Sequence, residues 1–461
     1  MRNLNLNELI NYCKEYGFIF QSSEIYDGIQ AIYDYGYYGS ILKQNIKSSW
    51  WKEMVQLNNN IVGVDAAIIM HPTVWEASGH IASFDDLMVD NKDSKKRYRV
   101  DVLIEDFARK NEKKELIAEM NKYISTEDLE GLYKIIIDNN ICCPISGTCH
   151  WTKVRHFNLM FQAKDIDDNT IYLRPETAQG IYVNFLNLQR STHQKIPFGI
   201  AQIGKAFRNE IIARQFTFRM REFEQMEMQF FIKPNEEERI KYYDYWKNER
   251  MKWYVDVLKI PSAKLRFKEH DQLAHYAKAA VDIEYEFPFG FKEIEGIHCR
   301  GDYDLANHEA YSKKNLHIID DVTNEKYIPH VIETSCGCDR IALMMLAEFI
   351  FKDDTPQNAS RHIFSVPTYF APIKYAILPL MKKTELTEVA KKIYDDLKTT
   401  YMCTYDDAGS IGKRYVRNDS VGTVNCITVD YQTLEDGTVT IRERDSMKQV
   451  RVKVENITKN A

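Results

Sequence analysis

Residues 207–231 combine cations, an aromatic ring and carboxylates in one short stretch, FRNEIIARQFTFRMREFEQMEMQFF. Two runs that alternate between apolar and polar residues flank a short connection at 211–215, which predicts an antiparallel hairpin. Because side chains on a strand alternate between its faces, we expect one face to carry Thr217, Arg219, Arg221, Phe223, Gln225 and Glu227. The opposite face has the composition of core, with Phe218, Met220, Met226 and Met228.

The order of side chains along the polar face suits a ligand with phosphates, a flat base and an ammonium group. At strand rise, about 13 Å separate Arg219 from Phe223, and about 13 Å separate Phe223 from Glu227. Arg208 and Glu210 can join from the partner strand. The alternative is a solvated amphipathic strand held by cross-strand ion pairs.

A second charged stretch follows a predicted strand at 326–350, KYIPHVIETSCGCDRIALMMLAEFI. The β-like run ends at Gly337 and a helical pattern follows it. Asp339 suits the first helical turn because a carboxylate complements the positive end of the helix dipole. Arg340 opposes that dipole and therefore needs another anionic partner. The alternative is a surface arginine paired with Asp339 or another acid.

These two stretches resemble sequence motifs of a known family. FRNE at Phe207–Glu210, followed by FTFRMREFEQME at Phe216–Glu227, is similar to motif 2 of class II aminoacyl-tRNA synthetases, and GCDR at Gly337–Arg340 is similar to motif 3. Further stretches resemble the homodimeric glycyl-tRNA synthetases: WEASGH at Trp75–His80, RPETAQG at Arg174–Gly180, Pro197–Glu210, RGDYDL at Arg300–Leu305 and GSIGKRY at Gly409–Tyr415. The resemblance runs from about Ser23 to Glu455.

The resemblance implies an α+β fold with three parts. A class II antiparallel sheet core with helices is expected over residues 1–355, with a helical insertion at about 85–155 and a second helical segment at about 235–275. A C-terminal α/β anticodon-binding domain is expected over residues 362–461. The implied reaction joins glycine to ATP as glycyl-adenylate, releasing pyrophosphate, and then transfers glycine to the 3′ end of tRNA(Gly). ATP with Mg²⁺, glycine, tRNA(Gly) and a second copy of the chain are the implied partners.

The resemblance also assigns nucleotide roles to particular residues. Arg208 would hold the α-phosphate, and Arg219 and Arg340 would hold the γ-phosphate of a bent ATP. Arginine suits both roles because the fork of the guanidinium group matches phosphate oxygens. Phe223 would stack on the adenine, Glu210 would read its edge, and Glu293 would help to hold Mg²⁺. The alternative for Glu293 is a strand residue facing solvent. The full expected ATP set is Arg208, Asn209, Glu210, Phe218, Arg219, Met220, Arg221, Glu222, Phe223, Glu293, Ile294, Gly337, Cys338, Asp339 and Arg340.

The implied glycine pocket is anionic. Glu176, Glu227 and Glu333 would bind the ammonium group or line the pocket, and Ser335 would narrow it. Carboxylates this close together should repel and raise one another's pKa in the absence of ligand. Arg99 resembles a further contact, with surface charge as the alternative. The full expected glycine set is Arg99, Glu176, Phe223, Glu224, Gln225, Met226, Glu227, Glu333, Thr334, Ser335, Cys336 and Gly337.

Composition bounds the class of protein. The chain has 461 residues, 44% of them hydrophobic, and a formal net charge of −6, so a globally basic nucleic-acid footprint is absent. Two local basic clusters are weak signals for RNA, Lys92–Arg99 and the group formed by Lys413, Arg414 and Arg417. No apolar run reaches membrane-spanning length, and the N-terminus lacks a signal-peptide core. We expect a cytoplasmic protein.

The nine cysteines are odd in number and irregularly spaced, which fits a reducing compartment better than a disulfide framework. Cys142, Cys143, Cys149 and His150 form the one metal-like cluster, but a zinc knuckle requires paired cysteines that CPISG does not offer. We therefore expect zinc to be absent, with a residual or altered metal site as the alternative. Cys336 and Cys338 are interpreted as small buried side chains.

The remaining segments have simple interpretations. The N-terminus predicts an amphipathic helix, and residues 39–56 predict a second, which in the family leads to the motif 1 dimer interface near Pro72. Trp50 and Trp51 fit either that interface or an intrachain core. Ser125 and Asp128 resemble a capping box that starts a helix. Residues 353–361 form a polar linker, followed by a strand (376–380), a helix (384–397) and strands at 423–430 and 438–442.

Two other functions remain open. A synthetase-like accessory or binding protein without aminoacylation activity could share this fold. Such a protein should lose the phosphate arginines or the pocket carboxylates first, and this chain has both. A synthetase for another amino acid is disfavoured by the RPET stretch and the acidic pocket.

Overall fold

The computed structural model describes residues 2–210, 215–270, 279–320, 323–353 and 361–459. The N-terminal part contains β1 (Arg2–Asn3), α1 (Leu6–Glu15), β2 (Ile19–Gln21), β3 (Tyr33–Tyr35), α2 (Tyr37–Trp51) and β4 (Ile61–Gly63). The predicted amphipathic N-terminal helix is confirmed. It begins with a reciprocal cap, because Asn5 accepts a hydrogen bond from the Glu8 amide while the Glu8 carboxylate accepts one from the Asn5 amide. The second predicted helix is also confirmed, since a π-helical turn extends α2 to Gln56.

The next part forms a small layer of its own, with a separate apolar core that includes Ile104, Leu132 and Trp151. Three helices cover a sheet of strand order β6-β5-β7. The elements are α3 (Pro72–Ala77), α4 (His80–Ser83), β5 (Asp85–Asp90), β6 (Arg97–Arg99), α5 (Val100–Lys110), α6 (Glu115–Ser125), α7 (Leu129–Asp138) and β7 (Arg155–Asn158). The predicted capping box is wrong: Ser125 ends α6, and Asp128 alone caps α7 by accepting a hydrogen bond from the Gly131 amide.

The central sheet comes from the middle of the chain. Its elements and neighbours are β8 (Gln162–Lys164), β9 (Thr170–Tyr172), α8 (Ala178–Val183), α9 (Phe185–Ser191), β10 (Phe198–Phe207), β11 (Glu222–Ile232), α10 (Glu236–Lys252), β12 (Leu265–Glu269), β13 (Ala279–Phe287), β14 (Gly290–Gly301), α11 (Tyr303–Ser312), β15 (Ile318–Ile319), β16 (Lys326–Tyr327), β17 (His330–Gly337), α12 (Cys338–Phe349) and β18 (Ile350–Asp353). Among the described residues the strand order is β12-β13-β14-β17-β11-β10-β4, antiparallel throughout except for the parallel pair of β10 and β4.

The two faces of this sheet have different environments. Met226, Met228 and Phe230 of β11 point to one face and join the main core with helices α2, α10 and α12. Phe231 points to the other face and packs beside Phe185 in a second core formed with α8 and α9. The polar half of β11 lies next to this second core, so helix packing and the polar residues share one face of the sheet.

The predicted helical segment at 235–275 is only partly confirmed. α10 and the π-helical turn Trp253–Val257 fill its first half. The second half then becomes strand β12, because the alternation in LRFKE at Leu265–Glu269 lets Leu265 face the core beside Tyr285. Residues 271–275 lie outside the described residues.

The C-terminal part is an α/β layer, as predicted. It contains β19 (Arg361–Phe364), β20 (Tyr375–Pro379), α13 (Thr384–Leu397), β21 (Cys403–Tyr405), α14 (Ile411–Ser420), β22 (Asn425–Val429), α15 (Tyr431–Asp436), β23 (Thr438–Glu443) and β24 (Gln449–Lys453). Within the described chain the sheet order is β21-β20-β22-β23-β24, with β20 parallel to both neighbours. Most of the predicted linker lies outside the described residues, but its ends are paired strands, since Asp353 of β18 lies opposite Arg361 of β19. The α+β fold is confirmed.

No helix in the described part of the chain is both long enough and apolar enough to cross a bilayer.

Candidate functional site

The predicted hairpin exists, but its connection is longer than the sequence suggested. β10 and β11 pair from Phe198 opposite Phe231 to Phe207 opposite Glu222. The shared strand face predicted for Thr217, Arg219 and Arg221 is therefore wrong, because regular strand begins only at Glu222. Gln215 and Phe216 have positive φ angles of 68° and 59°, which break the extended backbone, and a short 3₁₀ turn over Phe216–Phe218 follows. Part of the connection, 211–214, lies outside the described residues.

A cavity of about 350 Å³ opens above the polar half of β11. Strands β11, β14 and β17 form its floor, and the β10–β11 connection and the start of α12 form its sides. Many predicted site residues meet in its wall: Glu176, Arg208, Glu210, Phe218, Arg219, Met220, Phe223, Gln225, Glu227, Glu293, Glu333, Ser335, Cys336, Gly337, Asp339 and Arg340. Phe218 belongs to the main core at 9% exposure, as its predicted strand face required, and it also lines the cavity with the other members of the expected ATP set.

Arg340 does have an anionic partner, as its position against the helix dipole requires. Its Nη1 lies 3.2 Å from Oε1 of Glu293, and its guanidinium lies over the Phe218 ring at 4.4 Å. The alternative pairing with Asp339 is not made, because Asp339 contacts Nζ of Lys43 at 2.7 Å and accepts the Glu224 amide at 2.7 Å. Asp339 thus holds the helix start against the sheet and leaves Arg340 facing the cavity.

The other two arginines lie on the same side of the cavity. Arg208 donates from Nε to the Pro175 carbonyl at 3.0 Å, and its guanidinium lies 5.3 Å from the centre of the Phe223 ring. Arg219 is 40% exposed at its side chain, and its contact with Glu210 is long, at 3.8 Å. These cations are partly uncompensated within the protein, so this wall can accept an anion.

Three buried carboxylates form the opposite end. Glu176 contacts Nε2 of His80 at 3.4 Å and accepts from Gln179 at 2.9 Å. Glu333 accepts from Nη1 of Arg300 at 2.8 Å and contacts Nδ1 of His298 at 3.0 Å.

Within the described part of the chain, the hydrogen bonds that Glu227 accepts come from neutral groups, the Thr177 hydroxyl and Nε2 of Gln229 at 2.8 Å. The three carboxylates therefore differ in how well they are neutralised.

Their pKa values diverge accordingly. Burial, then the nearby carboxylates of Glu333 and Glu176, raises the pKa of Glu227 well above its ordinary value. Burial alone would also raise the pKa of Glu333, but Arg300 and His298 outweigh it and hold that pKa below its usual range. His80 and Arg300 do the same for the pKa of Glu176. The expected rise in pKa is therefore found for Glu227 and is wrong for Glu176 and Glu333, because their cationic neighbours outweigh the repulsion.

Sequence reasoning gave no role to three residues of this wall, Gly296, His298 and Arg300. Arg300 begins the RGDYDL stretch and bridges Glu333 to Asp304, with both guanidinium contacts to Asp304 within 3.0 Å. Alternation along β14 places 296, 298 and 300 on one face. That signal was available in the sequence, but only the pairing of β14 with β17 shows that this face meets Glu333.

The remaining predicted site residues lie outside the cavity wall: Arg99, Asn209, Arg221, Glu222, Glu224, Met226, Ile294, Thr334 and Cys338. Strand alternation explains four of them, Glu222, Glu224, Met226 and Thr334, since even-numbered residues of β11 and β17 face the main core. Glu224 on that face is paired with Lys43 and Lys47, each at 3.0 Å. Arg99 is paired with Asp101 at 2.6 Å.

The cysteine cluster of the small layer is not arranged as a knuckle. Cys142 and Cys149 form a disulfide, which the sequence analysis did not predict. The Cys143 thiol is buried and contacts the Tyr98 hydroxyl at 3.1 Å. Cys336 and Cys338 are buried at 2% and 0% exposure, as predicted.

One of the three cations in the basic cluster of α14, Arg414, is structural, while Lys413 and Arg417 are exposed. Arg414 is 2% exposed and donates to the carbonyls of Pro379, Leu380 and Asp406.

Three protein-family models match this chain, and the matched regions together cover most of it. Residues 161–349 match the tRNA synthetase class II core domain (G, H, P, S and T). Residues 86–115 and 107–159 match the glycyl-tRNA synthetase insertion domain 1, and residues 374–460 match an anticodon binding domain.

Curated relatives are similar over nearly their whole length. The glycine–tRNA ligase of Chlorobaculum tepidum is 50% identical over 459 residues, covering 97% of each chain. That of Borreliella burgdorferi is 47% identical, covering 98% of this chain and 96% of the relative. That of Macrococcus caseolyticus is 46% identical, covering 99% and 98%.

A solved structure shows the same fold at low identity. Prolyl-tRNA synthetase from Cryptosporidium parvum, complexed with L-proline and AMP, aligns with a TM-score of 0.61 and 14% identity, covering 99% of this chain and 76% of that one.

Proposed function

This chain belongs to the glycine–tRNA ligase family of class II aminoacyl-tRNA synthetases, which are ATP-dependent ligases, and we propose that the cavity above β11 is where it activates glycine. One observation carries the proposal. A single cavity has three arginines at one end, three buried carboxylates at the other and Phe223 in its wall. A nucleotide with its phosphates and an amino acid with its ammonium group match those two ends in charge.

The first step forms a bond between a carboxylate oxygen of glycine and the α-phosphorus of ATP. The bond from the α-phosphorus to the bridging oxygen breaks, and pyrophosphate leaves. In the second step a hydroxyl of the terminal tRNA adenosine attacks the glycyl carbonyl carbon, and AMP leaves. Neither step needs a protein nucleophile, so positioning and charge neutralisation supply the catalysis.

Each arginine is assigned to a phosphate according to the contacts that its guanidinium group makes within the protein. Arg208 holds the α-phosphate, since it lines the cavity and its Nε is fixed by the Pro175 carbonyl. Arg219 and Arg340 hold the γ-phosphate, and Arg340 exchanges its Glu293 contact for the nucleotide. Phe223 packs against the adenine and Glu210 reads its edge.

The Mg²⁺ that accompanies ATP fits this end of the cavity. Mg²⁺ is usually bound through one or two carboxylates together with substrate phosphates. Glu293 supplies such a carboxylate, and its side chain is 48% exposed. The ion would neutralise phosphate charge there.

The acidic end selects glycine. Glu176 and Glu227 receive the ammonium group, while Glu333, already held by Arg300 and His298, shapes the pocket beside Ser335. A larger amino acid would clash with these side chains, and glycine has no smaller competitor to be rejected. Editing is therefore unnecessary.

The wider organisation follows the family. We propose a catalytic domain over 1–355 with the insertion at about 85–155, an anticodon-binding domain over 362–461 that contacts tRNA(Gly), and a homodimer in the cytoplasm, where the tRNA substrate is used. The match of residues 374–460 to an anticodon binding domain supports the tRNA contact.

ATP–pyrophosphate exchange with a panel of amino acids tests the proposal. Exchange stimulated by glycine alone, followed by glycylation of tRNA(Gly), is expected. Exchange stimulated by another amino acid would show that the chain is a synthetase for that amino acid. Absence of exchange with every amino acid would instead favour an accessory protein that retains the fold.

A further inference from the structure

Three neighbouring strands at the edge of the central sheet each bring one metal-type ligand to the same spot. His270 follows β12, Asp282 lies on β13 and His298 lies on β14. One ligand atom from each lies within 4.8 Å of the other two, and over the described residues this is the one such group of His, Cys, Asp or Glu. Residue 280 lies opposite 298, and 282 lies opposite 296, so Asp282 and His298 project from the same face.

The cluster is tight and largely buried. His270 Nε2 lies 2.9 Å from Oδ1 of Asp282, and the two side chains are 32% and 12% exposed. In a tetrahedral zinc site with bonds of about 2.0–2.1 Å, neighbouring ligand atoms lie about 3.3 Å apart. His270 and Asp282 are therefore already close to the spacing that a bound cation requires, and the ligand atom of His298, within 4.8 Å of both, would move closer on binding.

Glu333 already orients the third ligand. Its carboxylate, which can only accept, contacts Nδ1 of His298 at 3.0 Å, so Nδ1 carries the proton and Nε2 is left as the possible metal ligand. A carboxylate behind a histidine in this way is the usual second partner of a metal-bound imidazole. Gly296 leaves room for the ring, since a Cβ there would lie 2.7 Å from Cε1 of His298.

We propose that His270, Asp282 and His298 form a binding site for one divalent transition-metal ion, with Zn²⁺ as the natural occupant. Two imidazoles and one carboxylate suit Zn²⁺ better than Mg²⁺ or Ca²⁺, which prefer oxygen ligands throughout. Three protein ligands leave the fourth tetrahedral position open to water or another small ligand. The site uses none of the cysteine cluster, but it adjoins the cavity above β11, because His298 lines the cavity wall together with Glu293 and Glu333. Metal binding there can still be tested without the proposed reaction.

Metal binding can be measured directly. Tag-free full-length protein, stripped with a chelator, is titrated with Co²⁺ while its visible d–d absorption is recorded, and Zn²⁺ is then added in competition. The wild type should bind one Co²⁺ per chain with intense tetrahedral bands, and Zn²⁺ should displace it. His270→Gln and Asp282→Asn should each weaken Zn²⁺ binding by more than about tenfold, since loss of even an outer partner typically costs about 10- to 100-fold.

Matched controls separate this site from other imidazoles and thiols. His317→Gln removes a histidine that contacts one carboxylate, Glu309, at 3.0 Å, and it should bind metal like the wild type. Replacing Cys142, Cys143 and Cys149 by serine should also leave the bands intact. Zn²⁺ should raise the unfolding temperature of the wild type and not that of Asp282→Asn. Absence of saturable binding, equal affinity in all variants, or loss of binding only in the serine variant would overturn the proposal.

Discussion

Arg340 and Glu293 contact each other twice: Nη1 of Arg340 lies 3.2 Å from both the carbonyl oxygen and Oε1 of Glu293. The pair joins the first turn of α12 to β14, and it lies in the wall of the cavity. Both groups are proposed to serve the nucleotide, Arg340 for the γ-phosphate and Glu293 for Mg²⁺. Without ligand, the two opposite charges therefore form an ion pair with each other. Binding of ATP would replace that ion pair by contacts with the nucleotide and Mg²⁺.

Arg340→Ala should cripple adenylate formation while the fold persists. Loss of one preorganised charge contact typically costs about 2.7–4 kcal/mol in the transition state, or about 10²- to 10³-fold in rate. ATP–pyrophosphate exchange measures it. Arg109→Ala is the control, because Arg109 pairs with Glu105 on an exposed helix face and should exchange normally. Near-normal exchange by Arg340→Ala would remove this residue from the phosphate site.

Glu176→Gln should weaken glycine binding selectively. It preserves shape and removes one charge, and a hydrogen bond to a charged group is worth about 1.5–3 kcal/mol, or about ten- to a hundredfold in affinity. Exchange assays that vary glycine and ATP separately should show a raised requirement for glycine and little change for ATP. Glu222→Gln, whose carboxylate contacts Lys205 at 2.8 Å outside the cavity, should match the wild type. An equal loss for both substrates would mean that Glu176 is structural.

Glycine binding should release a proton from Glu227. Burial and the neighbouring carboxylates raise the pKa of Glu227 and so favour its protonated form in the free protein, whereas a bound ammonium group favours the ionised form and lowers that pKa. Apparent glycine affinity should therefore rise with pH until the raised pKa is passed. Calorimetry in two buffers of different ionisation enthalpy measures the released proton.

Glu227→Gln supplies the control for that experiment. It cannot release the proton, so the buffer dependence of the binding enthalpy should disappear.

The effect of Glu227→Gln on stability also has a definite sign. Because the folded pKa of Glu227 is raised, ionisation opposes folding increasingly as pH rises above the ordinary value of 4.5. The variant should gain stability relative to the wild type at higher pH and not at pH 4. If glycine binding to Glu227→Gln still released a proton, that proton would come from another group.

The chain should form a two-fold dimer through the segment that leads to Pro72. Ile69 is 53% exposed and Leu57 is 59% exposed in that region, and a symmetric dimer is the commonest way to cover such residues. Ile69→Arg should weaken the dimer in analytical ultracentrifugation. Ile166→Arg, at a residue that is 99% exposed in the β8–β9 turn, should not. A wild-type monomer with full exchange activity would contradict the prediction.

Strand alternation accounts for the part of the site that was predicted correctly. Glu333 and Ser335 on β17, and Phe223, Gln225 and Glu227 on β11, share the cavity face because each strand is regular there. The same rule failed for Thr217, Arg219 and Arg221. Positive φ angles at Gln215 and Phe216 end the strand in the middle of an alternating sequence, and alternation alone does not reveal such a break.

The sequence by itself determined which side chains this protein has for chemistry and which local elements carry them, because helix and strand periodicity depend on near neighbours. α13, predicted at 384–397, is found at Thr384–Leu397. Only the tertiary structure decided which charges meet. Glu333 and Arg300 are 33 residues apart, and Glu227 lies 50 residues from Thr177. Such pairs are set by strand order and loop closure, so the carboxylates with cationic neighbours and the one with a raised pKa could be told apart only once the sheet was assembled.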